Sequence, residues 1–110
     1  MSAVQLAWVY LLIAGCFEIV FTTCLKFSDN FKQLPWTIAF VIAAVFSFYF
    51  LSKSVETLPL GTAYAVWTGI GAFGTAIVGI ILFQDSTSFW RVFFLMLLIF
   101  SVIGLKLFSR

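Results

Sequence analysis

An all-α membrane protein with four transmembrane helices is the fold class this sequence predicts, on three observations. Hydrophobic residues make up 64% of its 110 positions. Charged residues are only 9%, where a soluble domain carries about 25%, and mean hydropathy is +1.18. The apolar residues fall into four runs of roughly the 20 residues that cross a hydrocarbon core of ~30 Å, separated by short polar breaks. Residues 1–110 therefore read as a single four-helix transmembrane domain. The N-terminus lacks a basic stretch and apolar runs recur to the C-terminal end, which argues against a soluble protein behind a signal peptide.

The first run is Val4–Leu25, ended by the turn-like polar stretch Lys26 to Lys32. The second, Pro35–Ser52, opens on a proline suited to a first helical turn and closes at Lys53 to Thr57. The third, Leu58–Phe83, has Pro59 near its start and Gln84 to Ser88 at its end. The fourth, Phe89–Phe108, is broken only by Arg91 and Lys106. Loops this short make sequential helices adjacent and antiparallel. Trp8, Trp36 and Trp90 fall near span ends, where interfacial aromatics belong. Trp67 lies within a span and is a candidate for a buried role.

Four helices barely enclose a watertight cavity, so an oligomer is expected. With an even number of spans both termini and the second loop share one side. That side carries Lys53, Lys106 and Arg110, and the other carries Lys26, Lys32 and Arg91. The balance gives no preferred orientation. A chain without bias inserts both ways, which permits an antiparallel, dual-topology dimer with a symmetry akin to that of inverted repeats.

Several function classes fall away. Histidine is absent, which removes His-based triads and His metal sites. No phosphate-cradling glycine loop is present. The chain is not expected to be an enzyme or to hold a metal or cofactor. The lack of a polybasic tail makes nucleic acid an unsuitable partner, and the net charge of +2 is too small to imply anything about partners. Cys16 and Cys24 are separated by ~12 Å along one helix, too far for a disulfide, and read as small apolar residues.

Glu18 is the informative residue. No other charge stands between Met1 and Leu25. An ionised carboxylate in lipid costs at least several kcal/mol without compensation, and no other span offers an obvious basic partner. The cation is therefore expected from outside: a proton or a positively charged substrate. Two such carboxylates facing one cavity in a dimer would titrate as a coupled pair. Ala14, Gly15, Phe21 and Thr22 share the helix face of Glu18. The first two leave room beside it, and Thr22 offers a hydroxyl. In the third span Tyr64, Trp67 and Thr68 share a face. Their rings are suited either to binding organic cations or to helix packing, and the Tyr64 phenol to a bond with Glu18. Ser47 is a polar residue among Phe46, Phe48 and Tyr49, suited to bonding a substrate, Glu18 or its own backbone. Gly69 and Gly71 either bring helices close or let the third helix bend. The fourth span, with Ser101 and Gly104 as its small residues, reads as a packing element.

The whole chain resembles the small multidrug resistance transporters. The resemblance rests on the acid in helix 1, the segment Gly61-Thr62-Ala63-Tyr64-Ala65-Val66-Trp67-Thr68-Gly69-Ile70-Gly71, the Leu58-Pro59-Leu60-Gly61 start and the Gly104-Leu105-Lys106 ending. It implies an antiparallel homodimer in the bacterial cytoplasmic (inner) membrane that exchanges protons for small organic cations. It makes Glu18 the shared proton and substrate site, places Ser47, Tyr64 and Trp67 around it, and puts a helix bend at Gly69 and Gly71. Thr62, Thr68 and Ala72 resemble the guanidinium-exporting branch. Phe21 stands where that branch usually has tryptophan, and Thr22 and Thr23 resemble the branch exporting quaternary ammonium and aromatic cations. Phe94 and Ser101 stand where the multidrug branch often has glycine. The implied activity is export of guanidinium- or guanylurea-type cations with some quaternary ammonium tolerance. A broad multidrug exporter and a subunit pairing with a paralogue are the alternatives.

Overall fold

The computed structural model describes residues 1–108 as four helices, α1 (Ala3–Phe27), α2 (Leu34–Ser54), α3 (Leu60–Phe83) and α4 (Phe89–Leu107). There is no strand among the described residues. Each helix is long and apolar enough to cross a membrane, with mean hydropathy 2.0. The shortest, at 19 residues, measures ~28 Å at 1.5 Å per residue, close to the hydrocarbon thickness. The protein is a multi-pass membrane protein.

Local chemistry sets the ends. Ser2 caps α1 and Gln5 reaches back to the Ser2 backbone, a reciprocal box. Pro35 sits in the first turn of α2, where its missing N–H costs nothing. Pro59 precedes α3, which starts two residues later than the hydrophobic run suggests. Gln84 closes α3 in the left-handed region at φ 54°, and Ser88 caps α4 through the Arg91 N–H. Between α1 and α2, Asp29, Asn30 and Phe31 all have positive φ, at 49°, 60° and 66°. Buried Ser28 holds this turn by donating to the Leu25 carbonyl and accepting from the Phe31 N–H.

Helix α1 is the hub. It packs against α2 and α3, whereas α4 approaches only α3 closely. The α1–α3 seam is dovetailed through glycines. A Cβ on Gly15 would lie 2.7 Å from Ile70 Cγ2, and Cβ atoms on Gly71 and Gly74 would overlap Glu18 and Ile19. Close backbone approach of this kind drives helix association where lipid is as apolar as the side chains. Gly69 does the same for α4, receiving Val102.

Lys106 lies 5.3 Å above the buried Trp8 ring, joining the end of α4 to the start of α1. Lys26 lies 5.7 Å above Phe83, joining the far ends of α1 and α3. Lys53 and Lys106 thus belong to one end of the bundle, and Lys26, Lys32 and Arg91 to the other. Arg110, counted with the first group, lies outside the described residues.

Candidate functional site

Glu18 projects from α1 against α3, into the notch that the missing side chain of Gly71 leaves. Its Oε1 is the one buried side-chain polar atom without a hydrogen-bond partner among the described residues. Neither of the two ion pairs among those residues involves it; they join Lys53 to Glu56 at 3.9 Å and Arg91 to Asp85 at 3.6 Å. Among the described residues the acid therefore stands without a cation paired to it.

It lines a cleft of about 370 Å³ with Thr22, Thr68, Gly71, Ala72, Thr75, Ala76, Asp85 and Arg91. Thr68, Gly71, Ala72, Thr75 and Ala76 recur at three- and four-residue spacing and form one face of α3. Small side chains there leave the space, and the threonines make its walls polar. Thr22 and Thr75 meet across the seam at 2.7 Å. Thr22 Oγ1 also lies within bonding distance of the Glu18 and Ile19 carbonyls, at 2.9 and 3.0 Å. A larger cavity of about 700 Å³ shares Thr22, Thr75 and Asp85 and runs to Lys26, Asp29 and Asn30 at the bundle end. The two lie side by side on these shared residues.

Arg91 is a cation that sequence reading did not bring to Glu18, because it stands in the first turn of the chain's last span. The structure places it on the same cleft and restrains it there. It pairs with Asp85 and donates to the Ser86 carbonyl. Asp85 is drawn inward because its side chain folds over Gly79, where a Cβ would overlap it.

Ser47 and Trp67 form a second cluster. The Trp67 indole N–H donates to Ser47 Oγ at 3.0 Å, and Ser47 donates to the Ala14 carbonyl at 2.7 Å. Both residues are buried. Ser47 thus bonds a neighbouring helix rather than Glu18 or its own backbone. Its chain of bonds joins α3, α2 and α1 one turn before the acid. The Tyr64 ring lies 5.8 Å from Trp67 at a tilt of 43°, Phe48 is 5.3 Å from Trp67, and Phe21 is 6.4 Å from Phe48. Tyr64 is 57% exposed and makes no hydrogen bond to Glu18 among the described residues.

Of the residues singled out by sequence, Glu18, Thr22, Thr68, Gly71 and Ala72 line the cleft. Ala14 and Gly15 serve the helix seams, one under Ser47 and the other under Ile70. Phe21, Tyr64, Trp67 and Ser47 form the adjacent aromatic wall. Gly69 and Gly71 lie within a continuous helix and accept Val102 and Glu18. Thr75, Asp85 and Arg91 were missed. The signal for Thr75 was available: it continues the face of Thr68, Gly71 and Ala72.

The profile described as Small Multidrug Resistance protein matches residues 6–98. This chain belongs to the small multidrug resistance family. A protein of Proteus vulgaris named guanidinium exporter is 45% identical over 104 residues, covering 94% of this chain and 100% of that one. A guanidinium exporter of Yersinia pseudotuberculosis is 46% identical over the same coverage. One of Salmonella typhimurium is 47% identical over 102 residues, 93% of this chain and 97% of its own.

Proposed function

We propose that this protein is a proton-coupled antiporter that exports small organic cations, guanidinium and guanylurea types foremost, across the bacterial inner membrane. The observation that carries the reading is the unpartnered, buried oxygen of Glu18 on an open cleft. A carboxylate among four apolar helices requires a positive partner. A proton and an organic cation cannot both satisfy it, and that exclusion is what exchange needs. A guanidinium meets a carboxylate through paired, parallel N–H donors, and the relatives named guanidinium exporters agree with such a substrate.

A second copy in antiparallel orientation completes the site. A single α4, packed chiefly on α3, leaves the cleft open to one side. The dimer would bring two Glu18 carboxylates to one cavity, and bending of α3 at Gly69 and Gly71 would alternate its access. The exposed ring of Tyr64 and the edge of Phe21 would accept apolar substituents, which extends the range toward quaternary ammonium ions.

The test is transport by the purified protein in liposomes under a pH gradient, with guanidinium, guanylurea and tetraalkylammonium ions. Glu18→Gln is expected to abolish proton-driven uptake and keep the dimer. Glu18→Asp is expected to retain exchange with a displaced pH profile. Undiminished uptake by Glu18→Gln removes the mechanism.

A further inference from the structure

We infer that Thr75, with Thr22 and Thr68, forms a hydroxyl subsite that selects cations carrying N–H donors over fully alkylated ones. The inference rests on the exporter reading above and specifies what else the cleft recognises.

The argument is a count of hydrogen-bonding capacity. A threonine hydroxyl has one proton to give and two lone pairs to offer. Thr22 has three acceptors within reach: the Glu18 carbonyl, the Ile19 carbonyl and Thr75 Oγ1. It can satisfy them only one at a time, or share between its own carbonyls. When Thr22 donates back into α1, Thr75 donates to Thr22. Both Thr75 lone pairs then remain for the cleft, since Thr22 is its only side-chain partner among the described residues. When Thr22 donates to Thr75, the Thr75 proton is released toward the cleft instead. The pair thus presents acceptors or a donor to the same space by reversing one bond.

That reversibility matches the two occupants. A guanidinium paired with the Glu18 carboxylate uses two adjacent N–H groups. Its remaining N–H groups point away from the acid and need acceptors, because an unmet donor in a low-dielectric site is costly. In a cleft lined by Glu18, Thr22, Thr68, Gly71, Ala72, Thr75, Ala76, Asp85 and Arg91, Asp85 is engaged by Arg91, and the threonine oxygens are the side-chain acceptors that remain. A quaternary ammonium has no donor to satisfy and gains nothing from them. After the guanidinium leaves, the reversed pair offers an O–H donor to the cleft that the Glu18 carboxylate shares.

The test compares guanidinium with tetramethylammonium in liposomes holding the wild-type protein, Thr75→Val or Thr75→Ser. Valine keeps the shape and removes the hydroxyl; serine keeps the hydroxyl. The guanidinium-to-tetramethylammonium rate ratio is expected to fall about tenfold in Thr75→Val, the size of one hydrogen bond to a charged group. Thr75→Ser is expected to restore it. The unmodified protein gives the same test from the substrate side, with guanidinium expected to compete better than tetramethylguanidinium at equal charge. An unchanged ratio in Thr75→Val, or equal competition by the two guanidiniums, overturns the subsite and leaves the exporter reading standing. A wild-type protein that moves no cation against the pH gradient overturns both.

Discussion

Trp67 and Ser47 are joined by a buried hydrogen bond of 3.0 Å, with the indole as donor. Because Ser47 passes its own proton to the Ala14 carbonyl, this one hydroxyl fastens three helices beside the acid. Ser47→Ala would strand the Trp67 N–H. The expected loss is about 1–2 kcal/mol, the range for a buried donor left unpaired and for interhelical bonds in membranes. Unfolding in mixed micelles checks it. Trp67→Phe, which removes the donor together with part of the ring, is expected to be less additive with Ser47→Ala than two unrelated changes.

Gly71→Ala is expected to reduce transport by at least about tenfold in rate, a barrier of ~1.4 kcal/mol. The new methyl would overlap the Glu18 carboxylate, so the acid must leave its seat. Gly74→Ala is expected to be milder, since the Ile19 side chain it meets can rotate. Gly61→Ala, where a Cβ meets nothing within 4 Å, should leave transport unchanged. Equal activity in Gly71→Ala and Gly61→Ala would show that the notch does not matter.

Asp85→Ala is expected to weaken cation uptake by roughly fivefold to tenfold, about 1–1.4 kcal/mol. Arg91 shares the Glu18 cleft and is restrained by Asp85 at 3.6 Å. Freed from that partner, its guanidinium becomes an internal competitor for the acid. The double change Asp85→Ala with Arg91→Ala is expected to recover most of the loss. Failure of that recovery, measured as the concentration for half-maximal uptake, rules out the competition.

Asp29→Gly is expected to stabilise the first turn by roughly 0.5–1 kcal/mol. A side chain in the left-handed region costs roughly 1–2 kcal/mol that glycine avoids, offset in part by the greater freedom of glycine when unfolded. Asp29 has φ 49° and is exposed. Phe31 is the poorer choice, because its ring packs edge-on against Phe40 at 5.7 Å. Thermal unfolding in detergent distinguishes the two.

The helices were legible because hydropathy reports length, and each span here is long, apolar and bounded by polar residues. Pro59 displaced one start because the residue before the helix proper is still apolar. Glu18 was legible because a charge in lipid is rare. What the linear pattern hid was pairing. Spacing places Tyr64 and Trp67 on one face but cannot say that Ser47 answers the indole from another helix. Small residues at Ala14 and Gly15 were legible as space, but the space is filled by a serine bond and by Ile70. Arg91 was assigned to the fourth span alone, since hydropathy carries no information on which helices touch. Its place on the cleft of the acid depends on α4 lying along α3 and on Asp85 folding over Gly79.

Glu18 is also a wedge. Its carboxylate occupies the hollow opposite Gly71, so it cannot swing toward an incoming ion without emptying that hollow. The seam between α1 and α3 then has a void to close, and the two helices must slide or tilt to close it. On the exporter reading proposed above, loading the acid and unseating a helix become one mechanical event, with the glycine as fulcrum.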